Sequence, residues 1–204
     1  MKNTSFSKIA DFYDNRVRRY GYHPYSCDYG HVESQQRKFF IMSQITDYSY
    51  ATVLDVGCGF ADFAEYLSQR FEGVKYHGVD LSREMVAQAR LAHPQLDLRV
   101  GNFLELPQEE SYDIIIANGI FYLLGAEAES IMFKIISEMF RRCRKGVVFN
   151  SLSSWAKFRE KGEYYANPLE VVERCRKLSP WLTFRHDYLP HDFTIFISKE
   201  VLGQ

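Results

Sequence analysis

The sequence predicts an α/β fold: a mostly parallel, seven-stranded sheet with an antiparallel last strand, helices on both faces and a small N-terminal helical cap. Three observations predict it. From Thr52 onward, short apolar runs alternate with helical patterns, the signature of βαβ units. The first run, "TVLDV", leads into a glycine-rich turn and then a helix. The final two runs are separated only by a short turn at 190–192, which forces an antiparallel pair because a parallel crossover needs a longer connection.

The elements follow in order. Phe6, Ile9, Tyr13, Val17 and Tyr20 recur at steps of three and four, so an amphipathic helix opens the chain. "GYHPYSCDYG" (Gly21 to Gly30) breaks it with glycine, proline and turn residues. A second helix is predicted over Val32 to Gln44. Strands are predicted at Thr52 to Val56, Lys75 to Val79, Asp97 to Val100, Asp113 to Ala117, Gly146 to Asn150, Leu182 to Tyr188 and Phe193 to Ser198. Of the intervening helices, one follows Gly59 and one starts at Ser82, a good N-cap with Glu84 in the first turn. Another carries Met132, Ile136, Met139, Phe140 and Cys143 on one face, and the last begins with Asn167 as N-cap and Pro168 at the first helical position. The organisation expected is a single domain over 1–204, with a helical cap at 1–48 and an α/β core at 49–204.

Composition excludes several function classes. Among 204 residues, 46% are hydrophobic and 25% charged, and the net charge of -1 provides no general attraction to nucleic acid or anionic membrane. The basic clusters "RVRR" (Arg16 to Arg19) and "RRCRK" (Arg141 to Lys145) read as solvated faces and a helix C-terminus, where cations are stabilising. Cys27, Cys58, Cys143 and Cys175 form no CxxC pair or zinc-finger spacing, so a reduced, cytoplasmic protein without a metal site is expected. The first residues lack the apolar core of a signal peptide, and no run approaches the ~20 apolar residues of a membrane span.

In an open α/β sheet, ligands bind beyond the carboxyl ends of the strands. "LDVGCGFAD" lies there. Gly57 and Gly59 permit a tight turn and close backbone approach, but Asp62 stands where a dinucleotide fingerprint has its third glycine. Asp55, two residues before the first glycine, would repel a pyrophosphate and suit a cationic ligand or amino group. Asp80 ends the second strand, 21 residues after Gly59, where an acid can accept from a ribose diol. Asn102, Phe103 and Asn118 follow the third and fourth strands and offer polar and stacking contacts. Cys58 reads as a small turn residue, since nothing nearby would activate a thiol.

These segments resemble the class I S-adenosylmethionine-dependent methyltransferases: "VLDVGCGFADFAEYL", "GVDLS", "GNFLEL" and "YDIIIANGIFYLL" match four of that family's motifs in order over Thr52 to Leu124. The resemblance implies a Rossmann-like core whose cofactor is S-adenosylmethionine, leaving as S-adenosylhomocysteine. It implies that Asp55, Gly57, Cys58 and Gly59 lie near the methionine moiety. It also implies that Asp80 binds the ribose hydroxyls, Leu81 packs on the adenine, Asn102 and Phe103 contact the adenine, and Asn118 and Gly119 line the space beside the sulfonium. Asn102 departs from the more usual Asp. The first 48 residues match no motif; in this family that region usually caps the substrate.

The expected activity is methyl transfer to an N or O atom of a small-molecule acceptor, by a monomer or homodimer. An RNA or tRNA methyltransferase and a non-catalytic S-adenosylmethionine-binding protein are the alternatives. "ANGIF" differs from the [DNS]PP[YFW] of enzymes that methylate exocyclic amino groups, and no basic extension is present, so nucleic acid is the weaker reading. A general base is needed only if the nucleophile must lose a proton. The candidates are His31, His186 and His191, although "HDYLPHD" also reads as turn chemistry.

Overall fold

Successive residues of the central strands supply two cores. Val53, Ile114, Ile116, Val148 and Phe196 face one side, with Phe39 and Met42. Leu54, Ile115, Val147 and Ile195 face the other, with Met132, Ile136 and Met139. Side chains alternate along a strand, so a strand covered on both faces must be apolar throughout, which explains "DIIIA" at 113–117. A computed structural model describes residues 4–28, 32–44 and 46–201.

The strands are β1 (Thr52–Val56), β2 (Lys75–Asp80), β3 (Asp97–Val100), β4 (Tyr112–Ala117), β5 (Cys143–Leu152), β6 (Leu182–Leu189) and β7 (Asp192–Ser198). They form one sheet in the order β3-β2-β1-β4-β5-β7-β6. β7 runs antiparallel to both β5 and β6 and lies between them, so β6 forms the edge. β1 pairs with both β2 and β4, which puts the reversal of strand order, and with it the ligand crevice, at the carboxyl ends of β1 and β4. Because β7 begins where the parallel strands end, the β6–β7 turn opens onto the same crevice.

The helices are α1 (Thr4–Tyr20), α2 (Val32–Ser43), α3 (Asp62–Ser68), α4 (Arg83–Ala92), α5 (Ala128–Arg142) and α6 (Pro168–Arg176). α1 buries Ile9 and Val17 and docks on the start of α4. There Asp14 accepts from Ser82 Oγ at 2.6 Å and from Glu84 N at 3.1 Å, and Arg18 pairs with Glu84 at 2.9 Å. Among the described residues, no helix is long and apolar enough to cross a membrane.

Ser82 is fully buried and caps α4, its Oγ accepting from Met85 N at 3.0 Å. Ser82→Ala removes both the cap and the Asp14 bond. It should cost about 1–2 kcal/mol, read as a lower urea midpoint at unchanged slope.

The structure extends β5 at both ends beyond the predicted Gly146 to Asn150. Of the basic cluster at Arg141 to Lys145, Arg142 ends α5, in keeping with the helix C-terminus expected there, but it is not solvated. Arg142 is 2% exposed. Its guanidinium bonds Glu138 at 2.6 Å, Pro107 O at 3.0 Å and Leu106 O at 3.2 Å, and lies 5.0 Å from the Phe103 ring centroid. A planar group with five donors can satisfy a loop of carbonyls that water does not reach, and here it holds the loop after β3.

Candidate active site

The turn from β1 to α3 contains three residues with positive φ, Gly57 (+76°), Gly59 (+54°) and Ala61 (+62°). Gly57 N and Cys58 N both donate to Val79 O, at 2.7 and 3.2 Å, which ties the turn to β2. A Cβ on Gly57 would lie 2.3 Å from Ile120 Cγ2, so glycine is also required by the close approach of the turn after β4. The Cys58 side chain packs down onto Gly78, where an added Cβ would meet Sγ at 2.7 Å. Burial pushes its thiol well above the ordinary range, as it does that of Cys27.

Two carboxylates flank this turn. Asp55 is 3% exposed; Tyr76 OH donates to its Oδ2 at 2.5 Å, and its buried Oδ1 has no hydrogen-bond partner among the described residues. Burial pushes the carboxyl up to about 7, against the Tyr76 bond and with help from Asp80. Asp80 accepts from Gly59 N at 2.9 Å through Oδ2 and from Ser82 N at 2.8 Å through Oδ1. Burial raises its carboxyl pKa, opposed by those N–H groups. A carboxylate has about four acceptor sites, so each oxygen can take a further bond.

Asn102 caps the short 3-10 turn Phe103–Glu105, its Oδ1 accepting from Leu104 N at 3.1 Å. Beyond β4, the buried Asn150 amide clips the chain: Nδ2 donates to Asn118 Oδ1 at 2.6 Å, and Oδ1 accepts from Gly119 N at 2.7 Å.

The N-terminal helices close the crevice. Tyr13 OH and Tyr122 OH are 2.7 Å apart, Tyr122 OH donates to Asp28 Oδ2 at 2.9 Å, and Arg16 pairs with Asp28 Oδ1 at 2.8 Å. Burial raises both phenol pKa values, so the hydroxyls stay neutral. Asp62, at the start of α3, accepts from Tyr22 OH and from Gln35 Nε2, the latter at 3.1 Å. Lys38 of α2 pairs with Asp192 of β7 at 2.8 Å, and both are buried. Tyr188 OH also donates to Asp192 Oδ1.

The result is a cavity of about 330 Å³. Asp55, Gly57, Cys58, Gly59, Asp80, Leu81, Asn102, Phe103, Asn118 and Gly119 all line it. The histidines divide. His191, on the β6–β7 turn, lines the cavity, with its backbone carbonyl held by Ser153 N at 2.9 Å. Burial lowers its pKa below 6.5, with Asp192 opposing and Lys38 assisting. His186 stands outside the lining: Nε2 is 2.8 Å from Ser153 Oγ, and the ring lies parallel to Phe193 and beside Trp155. His31 lies outside the described residues.

Sequence reasoning missed Asp28, Lys38, Tyr122, Asn150, Glu163 and Tyr165, all but Asn150 in the cavity wall. Lys38 left a signal, since Gln35, Lys38, Phe39 and Met42 form one buried stripe at helical spacing, and a lysine there needs a partner. Glu163 and Tyr165 sit in an irregular segment with no periodicity to read.

A sequence profile described as a methyltransferase domain matches residues 53–146. Rv1506c of Mycobacterium tuberculosis, which carries a methyltransferase name, is 29% identical over 159 residues, covering 72% of this chain and 93% of that one. The trans-aconitate 2-methyltransferase of Azoarcus sp. (strain BH72) is 32% identical over 98 residues, covering 48% of this chain and 37% of that one. Magnesium protoporphyrin IX methyltransferase from Synechocystis PCC 6803, solved with bound S-adenosylhomocysteine, superposes with a TM-score of 0.72 over 95% of this chain and 99% of that one. At 14% identity, that likeness speaks for the fold.

Proposed function

We propose that the chain is a class I S-adenosylmethionine-dependent methyltransferase, a reading supported by the matching methyltransferase-domain profile and the methyltransferase-named relative, and that its acceptor is a small molecule methylated at an N or O atom. The observation that carries this reading is the cavity itself. It is small, roofed by α1 and α2, and continuous from the glycine turn to His191. Ligand pockets of about 300–1,000 Å³ suit small molecules, whereas a nucleic-acid acceptor calls for a basic approach surface that the net charge of -1 does not favour.

The residues fit the cofactor. The unpartnered, buried Oδ1 of Asp55 suits an ammonium group, and the Gly57–Gly59 turn leaves room for close approach. Asp80 has acceptor capacity for two ribose hydroxyls beyond its two N–H bonds. Leu81 and Phe103 offer apolar faces to the adenine, Asn102 its amide edge, and Asn118 and Gly119 border the sulfonium end. Residues 1–48 act as the cap and 49–204 as the cofactor-binding core. When bound, S-adenosylmethionine supplies a methyl group activated by a sulfonium leaving group. The protein aligns the acceptor with that methyl group, and the helical roof excludes water.

His191 is the general base for an acceptor that must lose a proton. Its neutral imidazole is the active form, and it predominates at neutral pH because burial lowers its pKa. The rate should therefore rise with pH along a limb below 6.5 and then level off. His191→Asn should lower kcat by roughly a hundredfold, remove that limb and leave S-adenosylhomocysteine affinity nearly unchanged. An unaltered limb in the variant would assign the base elsewhere. Methyl transfer from labelled S-adenosylmethionine to fractionated metabolite pools tests the function; tight cofactor binding with no labelled small molecule counts against it.

A further inference from the structure

The cavity as a whole has a definite charge. Its wall contains the carboxylates Asp28, Asp55, Asp62, Asp80, Glu163 and Asp192, but only one lysine and no arginine among the described residues. That lysine, Lys38, is engaged with Asp192 at 2.8 Å. Asp28 is balanced by Arg16, and Asp55 and Asp80 serve the cofactor end. Asp62 is tied to Tyr22 and Gln35 beneath the cap. Glu163 remains. Tyr165 OH donates to its Oε2 at 2.6 Å, a neutral donor that leaves the carboxylate further acceptor capacity.

The segment that carries Glu163 is anchored at the reacting end. Tyr164 N donates to Tyr122 O at 2.8 Å, which sets Glu163 and Tyr165 beside the turn that contains Asn118 and Gly119. Ser154 N donates to Ala166 O at 2.8 Å and Ala166 N to Leu152 O at 2.9 Å, tying the segment to the end of β5. His191 lines the same chamber.

Resting on the reading that this cavity holds the sulfonium cofactor, we infer that the acceptor is an amine, and that Glu163 determines this specificity by holding its ammonium form. A carboxylate or phosphate would enter a chamber whose described wall carries an excess of carboxylates and no unengaged arginine or lysine, so like charges repel it. An ammonium finds Glu163 and passes one proton to the neutral His191 imidazole. The amine lone pair then forms the new N–C bond as the C–S bond breaks, and that electron pair stays on sulfur. The methylated ammonium product leaves with its proton or loses it to solvent.

Calorimetric titration of the S-adenosylhomocysteine-saturated protein tests this with two probes on one frame, cationic tyramine and anionic 4-hydroxyphenylacetate. Tyramine should bind about tenfold tighter or more, and Glu163→Gln should narrow that gap to about threefold or less. Equal binding, a preference for the anion, or no tyramine binding at any concentration reached overturns the inference. The wild-type comparison stands even if the variant does not fold. Failure of the wild type to bind S-adenosylhomocysteine in the first titration would instead strike the underlying cofactor reading.

Discussion

Asp80→Ala should weaken S-adenosylhomocysteine binding by about a hundredfold or more. Two losses combine. The ribose loses a charged acceptor, and a hydrogen bond to a charged group contributes about 1.5–3 kcal/mol. The glycine turn also loses its tether, because Asp80 Oδ2 accepts from Gly59 N while Oδ1 accepts from Ser82 N at the start of α4. Asp80→Asn separates the two. It retains one carbonyl acceptor and sacrifices the charge, so about a tenfold loss is expected. Calorimetry reads both, with a thermal melt to confirm folding. An unchanged dissociation constant in Asp80→Ala would show that the ribose does not sit at the end of β2.

Lys38→Met should destabilise the fold by about 3–5 kcal/mol, because it strands the Asp192 carboxylate in the interior. Asp192 is 1% exposed, and Lys38 is its cationic partner at 2.8 Å. At the usual scale for a chain of this size, that is a drop of roughly 10 °C in Tm. The double substitution Lys38→Met, Asp192→Leu should recover much of the loss, since apolar groups can replace a buried pair at little cost. Urea unfolding of Lys38→Met, Asp192→Leu and the double variant forms a cycle. A loss in the double variant equal to the sum of the two single losses would mean that the pair contributes no coupling. The effect is structural as well as local, because this pair joins the α2 roof to the sheet.

The contrast between Lys38 and Asp55 shows how much of the site the chain discloses locally. Asp55 is readable because its distance from Gly57 along the chain is also its place in space: strand, turn and helix N-terminus follow one another without interruption. Asp80 is readable for the same reason, at the end of the neighbouring strand. Lys38 and Asp192 are 154 positions apart. Their meeting depends on how α2 packs and on β7 inserting between β5 and β6. His186 and His191 are five residues apart and looked equivalent. The bond to Ser153 and the aromatic packing fix His186 on the strand, whereas the turn carries His191 to the carboxyl end of the sheet. Arg142 looked like a helix-terminal cation; only the loop folded over it turned it into a buried anchor.

The sequence by itself determined the alternation of strands and helices, the antiparallel final hairpin, the glycine turn with its two flanking acids, and the resemblance to a methyltransferase family. These are properties of contiguous segments, where backbone periodicity and φ preference act within a few residues. Tertiary structure alone decided which roof residues reach the cavity, that Lys38 is engaged by Asp192, that Glu163 and His191 line one cavity, and which arginine is buried. Those outcomes depend on contacts between distant segments, and the number of ways such segments could meet far exceeds what any local pattern specifies.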